Sequence, residues 1–300
     1  MATTNPIVTG LTSYVEEHKS ELLTKTLLDG KSRGMFNLMT NVLGPTKIHL
    51  MDVDVHFQPL ACGWNESGST VYTDRTLTPA PLQVEMAYCD KNLIRTYLQT
   101  EINIAAGRES IPFEEKWTSQ IVGSINEQIE KMLYQGQSGQ TNQFEGLISI
   151  LEGDAMTVTG ETASGSTAYE LIKDAAAAIP ANVKNPVILC STPLYREWMQ
   201  NLVSANLFHF NPENGANEYL LPGTDIKVIA VDGLNNTESY DYVIAANLNN
   251  IVYGCDLEGD DSEFRLWYSD DNSEFRIKVC FVGGVQVGYP EEIVLWKRAK

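Results

Sequence analysis

The stretch that most limits the possible folds is a long amphipathic segment, FEEKWTSQIVGSINEQIEKMLYQG, which runs from Phe113 to Gly136. Apolar side chains recur every four residues along it, which predicts one continuous helix with a buried stripe. At about 1.5 Å per residue this helix spans about 35 Å, which is long for a globular domain. Ser110 and Pro112 are predicted to begin the helix and Gly136 to end it. The stripe consists of Phe113, Trp117, Ile121, Ile125, Ile129 and Leu133.

The segment before residue 45 is predicted to form an arm. Residues 11–28 carry an amphipathic helical pattern, which Gly30 and Gly34 end. An arm cannot bury its apolar face alone, so we expect it to need neighbouring copies of the chain.

The next segment is predicted to be an extended hairpin. Residues 48–60 alternate apolar and polar side chains, with a slip near Met51, and PAPLQVEMAYC at 79–89 has strand character again. The stretch between them, around Trp64, is rich in Gly, Ser, Asn and Thr and is predicted to be a flexible tip. Because its flanks are too polar for a core element, we expect the hairpin to project from the body.

From Thr167 the pattern changes to alternating helices and strands. Helices are predicted at 168–179 and 192–205, the second with Thr192 as its N-cap. Strands are predicted over PVILCS, DIKVIAVDGL, YVIAAN and NIVYGCD, and residues 137–165 are predicted to be a loop with a short apolar segment. The span 262–300 returns to long strands, which we expect to break at a glycine pair and at Pro290.

The charge and the cysteines exclude several classes of protein. The chain has 21 basic and 39 acidic side chains, a net charge of −18, which argues against direct wrapping of nucleic acid. No apolar run approaches the roughly 18 to 20 residues of a membrane span, and the N-terminus lacks a secretory signal. The five cysteines are expected to be buried thiols in a reducing cytoplasm.

Short motifs do not combine into a catalytic site. Gly30, Ser32 and Gly34 match the G-x-S-x-G nucleophile elbow, so an α/β hydrolase that uses Ser32 is kept as an alternative. The elbow requires a preceding strand, but the residues before Gly30 are predicted to be helical. A hinge after the arm helix is therefore favoured.

The possible metal ligands are also poorly placed. His49 and His56 lie seven residues apart in a predicted strand and therefore on opposite faces, which disfavours zinc even with Cys62 nearby. The acidic run of Glu258, Asp260 and Asp261 is expected to be a solvated turn with weak cation binding as the alternative. No catalytic residue, cofactor or metal ligand is assigned.

The order of elements resembles that of the major capsid protein of tailed bacteriophages, with the Hong Kong 97-like fold. The resemblance is carried by the strand pair with its polar tip, by TPAPLQVEMAYCDKNLIRTYL, by the long helix and by the ending DNSEFRIKVCFVGGVQVGYPEEIVLW. It covers nearly the whole chain but contains no invariant signature. It implies an α+β fold with an N-terminal arm (1–45), an E-loop (46–80), the start of a P-domain with its spine helix (81–136), an α/β A-domain (137–260) and a P-domain β-ribbon with a strand that returns to the A-domain (261–300).

The resemblance also implies roles for particular residues. Trp64, Tyr72 and Arg75 of the E-loop are expected to contact a neighbouring subunit. Gly283 and Gly284 are expected to allow the ribbon to bend. The core of the spine helix is expected to consist of Phe113, Trp117, Ile121 and Ile125.

The function implied by the resemblance is structural, not enzymatic. Copies of the chain would assemble as hexamers and pentamers into an icosahedral shell around double-stranded DNA, without binding the DNA tightly. The expected location is the virion capsid, assembled in the cytoplasm of a bacterial host, and the expected partners are portal, scaffolding and decoration proteins. The alternative of the same fold is an encapsulin, a bacterial nanocompartment whose lumen holds enzymes instead of a genome.

Overall fold

The computed structural model describes residues 6–60, 62–63, 66–105, 113–207, 218–256 and 263–300. These residues form a mixed α+β fold with a five-stranded, a six-stranded and a two-stranded sheet. The helices are α1 (Pro6–Leu28), α2 (Asp90–Ala105), α3 (Phe113–Gln135), α4 (Leu147–Gly153), α5 (Ala168–Ala177) and α6 (Thr192–Ser204). The strands are β1 (Asn37–Met39), β2 (Thr46–Val55), β3 (Gly68–Leu77), β4 (Ala80–Cys89), β5 (Val158–Thr162), β6 (Val187–Ser191), β7 (Glu218–Leu220), β8 (Lys227–Val231), β9 (Tyr240–Ala246), β10 (Ile251–Cys255), β11 (Glu263–Ser269), β12 (Glu274–Val287) and β13 (Val294–Ala299).

Several residues singled out from the sequence lie outside the described residues, and their expected roles stay predictions. They are Trp64, Ser110, Pro112, Glu258, Asp260 and Asp261.

The long strand β12 organises the five-stranded sheet. It pairs antiparallel with β4 along 274–283, with β11 along 274–280 and with β10 along 283–287, and β1 adds in parallel to β10. Because β4 and β11 pair with the same residues of β12, they lie on opposite sides of it. Alternate residues of β12, beginning with Phe275 and Ile277, are buried in the same core as the apolar stripe of α3.

The glycine pair lies inside this strand. β12 continues through Gly283 and Gly284, so the break predicted there is wrong. Gly284 has a steric role instead, since a Cβ at this position would lie 3.0 Å from the Cα of Pro79, where the chain passes from β3 to β4. A bend of the ribbon at the pair stays a prediction.

The six-stranded sheet has the order β5-β13-β9-β6-β8-β7. Its last strand in sequence, β13, lies between β5, to which it is parallel, and β9, to which it is antiparallel. The helices α5 and α6 bury Leu171 and Trp198 in a second core against this sheet. The N-cap of α6 is Ser191, whose Oγ accepts a hydrogen bond from the N–H of Leu194, so the prediction of Thr192 is wrong by one residue.

The segment 137–165 contains more regular structure than its polar composition predicts. α4 and β5 lie within it, and Leu147 and Leu151 of α4 are fully buried in the main core. The prediction of a loop is therefore wrong for these two elements, because packing against α3 and β13 stabilises segments with weak local patterns.

The N-terminal helix α1 packs against α3 and β11 of its own chain. Its apolar side chains, including Leu11, Val15 and Leu27, are buried in the main core. The expectation that this arm leaves its apolar face for neighbouring copies is therefore wrong.

The turn after α1 is anchored rather than hinged. Arg33 is buried, and its Nη1 donates to the carbonyls of Thr26 and Leu27 at 2.9 and 2.8 Å, which satisfies orphan acceptors at the end of the helix. Its Nη2 donates to Asn126 Oδ1 of α3 at 3.0 Å, and its Nε lies 3.9 Å from Glu130 Oε2. The predicted hinge is contradicted, because this turn is tied to both helices.

The neighbouring residues of the turn also reach into the body. Lys31 Nζ donates to the carbonyl of Ala230 at 2.8 Å, and the hydroxyl of Tyr134 donates to Ser32 Oγ at 2.7 Å. Ser32 is fully buried, so its hydroxyl is closed to a substrate. This burial contradicts the alternative of a hydrolase with Ser32 as nucleophile.

The hairpin is built from a different second strand than expected. β2 pairs with β3, which lies inside the predicted flexible tip, and β4 pairs with β12 instead. The polar, β-branched sequence of β3 suits an exposed strand, whereas β4 places its apolar residues against the core.

The five cysteines, all within the described residues, form no disulfide. Cys190 and Cys255 are buried, and burial raises their thiol pKa to about 12 and about 11. Cys62 and Cys89 are exposed, which corrects the expectation of buried thiols for these two.

Candidate functional site

Among the described elements, the hairpin of β2 and β3 carries the most exposed large apolar side chains. Its ten residue pairs run from Thr46 opposite Leu77 to Val55 opposite Gly68, a length of about 30 Å at about 3.4 Å per residue. At the far end Gly68 has a φ of +128°, and a Cβ there would lie 2.6 Å from the carbonyl oxygen of Asp54. The close of the ladder therefore requires glycine at this position.

The base of the hairpin is fixed to the five-stranded sheet. Leu77 is fully buried and packs against Gly254. A Cβ at position 254 would lie 2.3 Å from Cδ2 of Leu77. Gln286 Nε2 donates to the carbonyl of Thr76 at 2.9 Å. These contacts hold the end of β3 on the body of the chain.

Two further contacts fix the base. The hydroxyl of Tyr289 accepts from the N–H of Met51 at 3.3 Å and donates to the carbonyl of Met51 at 3.1 Å. Arg75 Nη2 lies 2.5 Å from Asp154 Oδ2 at the end of α4, and both side chains are largely buried. Beyond Met51 and Tyr72 every described residue of the hairpin is exposed.

The contact with Arg75 helps to lower the pKa of the Asp154 carboxylate. Burial raises its pKa, whereas the N–H of Met156 and the guanidinium of Arg75 lower it by more, so the pKa lies below its usual range. The ion pair is therefore present at neutral pH.

A change of face divides the hairpin into a proximal and a distal half. Ile48 and Leu50 share one face and are half-buried, and Leu50 lies against Gly288. Because side chains alternate strictly along a strand, Val53 and Val55 lie on the opposite face. The slip in the alternation near Met51 therefore does not reflect a bulge in the ladder. Before Met51 the apolar side chains of β2 lie on the face toward the body, and from Met51 onward they lie on the opposite, solvent-exposed face.

The exposed apolar side chains form one surface, the distal apolar face, which consists of Met51, Val53, Val55 and Tyr72. These four residues lie on the same face of the ladder, because residue pairs that are opposite each other share a face. Their exposures range from 49% to 74%. Phe57 and Leu60, which follow β2, are fully exposed as well. Exposed apolar surface of this kind is typical of sites that contact another molecule.

The proximal end of the same face is charged. His49 Nδ1 lies 2.6 Å from Asp74 Oδ1, and Lys47 Nζ lies 3.1 Å from Asp74 Oδ2. Hydrogen bonds from His49 and then Lys47 lower the pKa of Asp74. The face therefore changes from a charged proximal half to an apolar distal half.

The structure separates the three E-loop residues singled out from the sequence. Tyr72 is part of the distal apolar face, whereas Arg75 is bound to Asp154 of its own chain. Trp64 is outside the described residues. Sequence reasoning missed Met51, Val53, Val55, Phe57 and Leu60 as surface residues, although their alternation in LMDVDVHFQPL was the available signal.

The four spine-helix residues singled out from the sequence are all buried in α3. The ring of Trp117 packs edge-on against Tyr88 of β4 at 5.4 Å, and that of Phe113 against Tyr97 of α2 at 5.6 Å. Ile121 and Ile125 belong to the same core. These four residues therefore contribute to the packing of the main core.

The described part of the chain contains no group of metal ligands and no helix suited to span a membrane. No group of three or more His, Cys, Asp or Glu side chains within it is placed to hold a metal ion. Among the helices in these ranges, none combines the length and the apolar character needed to cross a membrane.

Solved structures of capsids resemble this chain over most of its length. A chain of the satellite phage P4 procapsid, whose structure includes the size determination (Sid) protein, has a TM-score of 0.61 at 9% identity, with 98% of each chain covered. The capsid of the native GTA particle has a TM-score of 0.57 at 10% identity, with 92% of this chain and 91% of the other covered. The holo-SrpI encapsulin complex from Synechococcus elongatus PCC 7942 has a TM-score of 0.55 at 8% identity, with 87% and 84% covered.

The sequence comparisons give no relative. No protein-family model matches the chain, and no curated protein matches it. The structural likeness establishes that the chain has the fold of tailed-phage major capsid proteins, which confirms the resemblance at the level of the fold.

Proposed function

We propose that this chain is the major capsid protein of a tailed double-stranded DNA bacteriophage and that its copies assemble into a closed shell. The observation that carries the proposal is the distal apolar face. It is held at a fixed base, exposed along its length and matched by no covering element among the described residues. A two-stranded hairpin is marginally stable alone, so a ladder of ten pairs gains most by packing against a partner.

The position of the hairpin favours a head-to-tail arrangement. The face that docks lies on β2 and β3, and we propose that it is received by the body of the next copy and not by the same face of that copy's hairpin. Such heterologous contacts close into rings. Pentamers and hexamers in an icosahedral shell are the rings we propose.

We also propose that the segments of the chain correspond to the parts of the capsid fold named above. Residues 1–45 are the N-terminal arm, 46–80 the E-loop, 81–136 and 261–300 the P-domain, and 137–260 the A-domain. The pairing of β4, β11 and β12 beside α3 supports the P-domain, and the insertion of β13 between β5 and β9 supports a strand that returns to the A-domain. Portal, scaffolding and decoration proteins are proposed partners in a virion assembled in the host cytoplasm.

The proposed relation to DNA is enclosure without tight binding. A net charge of −18 is unfavourable for contact with phosphates, which requires Lys and Arg. Unassembled protein mixed with duplex DNA should show no binding in a mobility-shift assay near physiological salt. Tight binding that weakens steeply with salt would contradict a container and indicate a nucleic-acid-binding protein.

An encapsulin-type compartment is the second candidate, and the likeness to the SrpI encapsulin complex is the observation that favours it. Negative-stain electron microscopy of the purified protein tests both candidates at once, since each requires closed shells. Particles expressed with their native partners are then treated with nuclease. Protected genome-length DNA supports the phage capsid, protected protein cargo without DNA supports the compartment, and an absence of shells contradicts both.

A further inference from the structure

A groove separate from the hairpin runs along α3. It consists of three adjoining cavities of about 530, 410 and 470 Å³, and neighbouring cavities share lining residues. Four of the side chains that α3 contributes are spaced four, four and three residues apart and therefore share one helix face. They are Ser124, Gln128, Met132 and Gln135.

One end of the groove is apolar. It lies between β4 and α3, and its walls include Leu82, Val84 and Met86 of β4 and Ile129 of α3. An aliphatic or aromatic side chain placed here would be removed from water on several sides. This end therefore favours an apolar anchor.

The middle of the groove is rich in side-chain amides. Gln128 and Gln135 of α3 face Gln137 and Asn142 across it, with Lys131 at the rim. The NH2 group of Gln135 already donates to the carbonyls of Gly233 and Asn235, at 2.7 and 2.8 Å. Each of the other three amides carries a donor and an acceptor, which is the pattern that a peptide backbone presents. This part suits an extended main chain.

The far end of the groove favours a cation. It is lined by Tyr240 and Tyr242 and by the carboxylates of Glu152 and Glu238. Lys297 already lies at this end, with its Nζ 4.6 Å from the centre of the Tyr240 ring and 3.4 Å from Glu152 Oε1. The groups that a second cation would meet are therefore the carboxylate of Glu238 and the ring of Tyr242. Aromatic faces beside carboxylates attract Lys and Arg side chains.

We propose that this groove binds an extended peptide segment of another protein, with an apolar side chain between β4 and α3 and a Lys or Arg beside Tyr240 and Tyr242. The two ends are separated by about ten residues of α3, or about 15 Å. An extended chain rises about 3.3 Å per residue, so the apolar and basic residues lie about five positions apart.

Charge argues against a second copy of this chain as the occupant. The exposed apolar segment 56–60 is flanked by Asp54 and Glu66, which would meet Glu152 and Glu238 at the far end. Like charges at short distance disfavour this pairing. The inference does not depend on shell assembly, because the groove is complete within one chain.

The test measures fluorescence anisotropy of labelled peptides with the unassembled protein. The probe is a short Gly/Ser peptide with Leu and, about five positions later, Lys. Its controls replace Leu by Ser or Lys by Glu. The protein variants are Ser124→Trp, which fills the apolar end, Glu238→Lys, which reverses a charge at the far end, and the matched control Glu127→Lys, which makes the same change on α3 outside the groove.

We expect the Leu/Lys peptide to bind about tenfold more tightly than either control peptide. Ser124→Trp should abolish the preference for Leu, Glu238→Lys should abolish the preference for Lys, and Glu127→Lys should change neither. Equal binding of the three peptides, or equal effects of the two Glu→Lys variants, would overturn the proposal. Loss of self-association in Ser124→Trp, without an effect on peptide binding, would instead identify a second copy as the occupant.

Discussion

The helix α1 and the β2–β3 hairpin both lie outside the two large sheets, yet they bury their apolar side chains to opposite extents. Leu11 and Leu27 of α1 are 0% exposed, whereas Val53 and Tyr72 of the hairpin are 49% and 74% exposed. Both elements are fixed at one end by buried or partly buried arginines, Arg33 and Arg75. Because of this difference, α1 belongs to the core of the single chain, whereas the apolar face of the hairpin is available to a partner.

The physical reason lies in what each element can cover. A helix buries one stripe against a neighbouring helix or sheet, and α1 finds both α3 and β11. A two-stranded ladder has two faces, and only its base reaches the body. Substitutions in the two regions should therefore differ in their effects on the free energy of unfolding.

The largest effect is expected at the junction of α1 with α3. Arg33→Met leaves Glu130 buried without its cation and removes the donor to the last carbonyls of α1. The free energy of unfolding should fall by about 3 to 5 kcal/mol, as measured by urea denaturation. The control is Lys25→Met, which removes an exposed cation from the same helix and should leave the midpoint unchanged. Similar midpoints for both variants would show that the turn is not anchored.

The next largest effect is expected from a Leu→Ala substitution in α1, compared with the same substitution beside the hairpin. Leu27→Ala removes a fully buried side chain from α1 and should cost about 2 to 5 kcal/mol. Leu60→Ala removes a fully exposed side chain from the hairpin and should change the free energy of unfolding by less than about 0.5 kcal/mol. Thermal unfolding of the two unassembled variants measures the difference. Equal costs would contradict the division between core and exposed face.

A smaller effect is expected at the base of the hairpin. Arg75→Ala removes the ion pair with Asp154, which solvent partly screens, so the cost should be about 1 kcal/mol at neutral pH. Because the pKa of Asp154 is lowered in the folded state, this stabilisation is complete above the unfolded pKa, about 3.9, and is lost as the pH falls through the lower folded pKa. Unfolding free energies of the two proteins should therefore converge in acid. A difference that persists unchanged at low pH would exclude the ion pair as its cause.

The smallest effect on stability is expected on the distal apolar face. Val53→Ser and Val71→Ser change side chains of nearly equal exposure on opposite faces of the hairpin, and each should alter the free energy of unfolding by less than about 0.5 kcal/mol. Only Val53→Ser should lower the yield of shells, as counted by electron microscopy. Equal loss of shells in both variants would show that the distal apolar face is not the docking surface.

The sequence predicts the elements whose pattern is local. The stripe of α3, the strands β6, β9 and β10 and the helices α5 and α6 follow from periodicity and from Gly, Pro and capping residues within a few positions. Strand pairing is different, because β4 lies 185 residues or more from its partner β12 and no local signal specifies that pairing over one with β2.

The same limit applies to the candidate site. Burial of Ser32 and Arg33 depends on Tyr134 and Asn126, which lie about a hundred residues away, so a local motif suggests a hinge where the fold makes an anchor. The apolar switch at Met51 is visible in the sequence, but only the ladder shows which face meets solvent. The three cavities along α3 bring together residues from β4, α3, α4 and β9, and no spacing along the chain predicts them.

Sedimentation velocity of a chain with a shortened hairpin shows whether the exposed half of the hairpin is required for shells. Replacing residues 52–71 by Asn-Gly keeps the pair of Met51 and Tyr72, the hydrogen bonds to Tyr289 and the ion pair of Arg75, and it closes the ladder with a favoured turn. We predict normal circular dichroism, an unchanged urea midpoint and only small, unassembled species, whereas the unaltered chain sediments as closed shells. Shells of normal size from the shortened chain would show that the exposed half of the hairpin is not needed for assembly. An unfolded shortened chain would show that the hairpin belongs to the core of the single subunit.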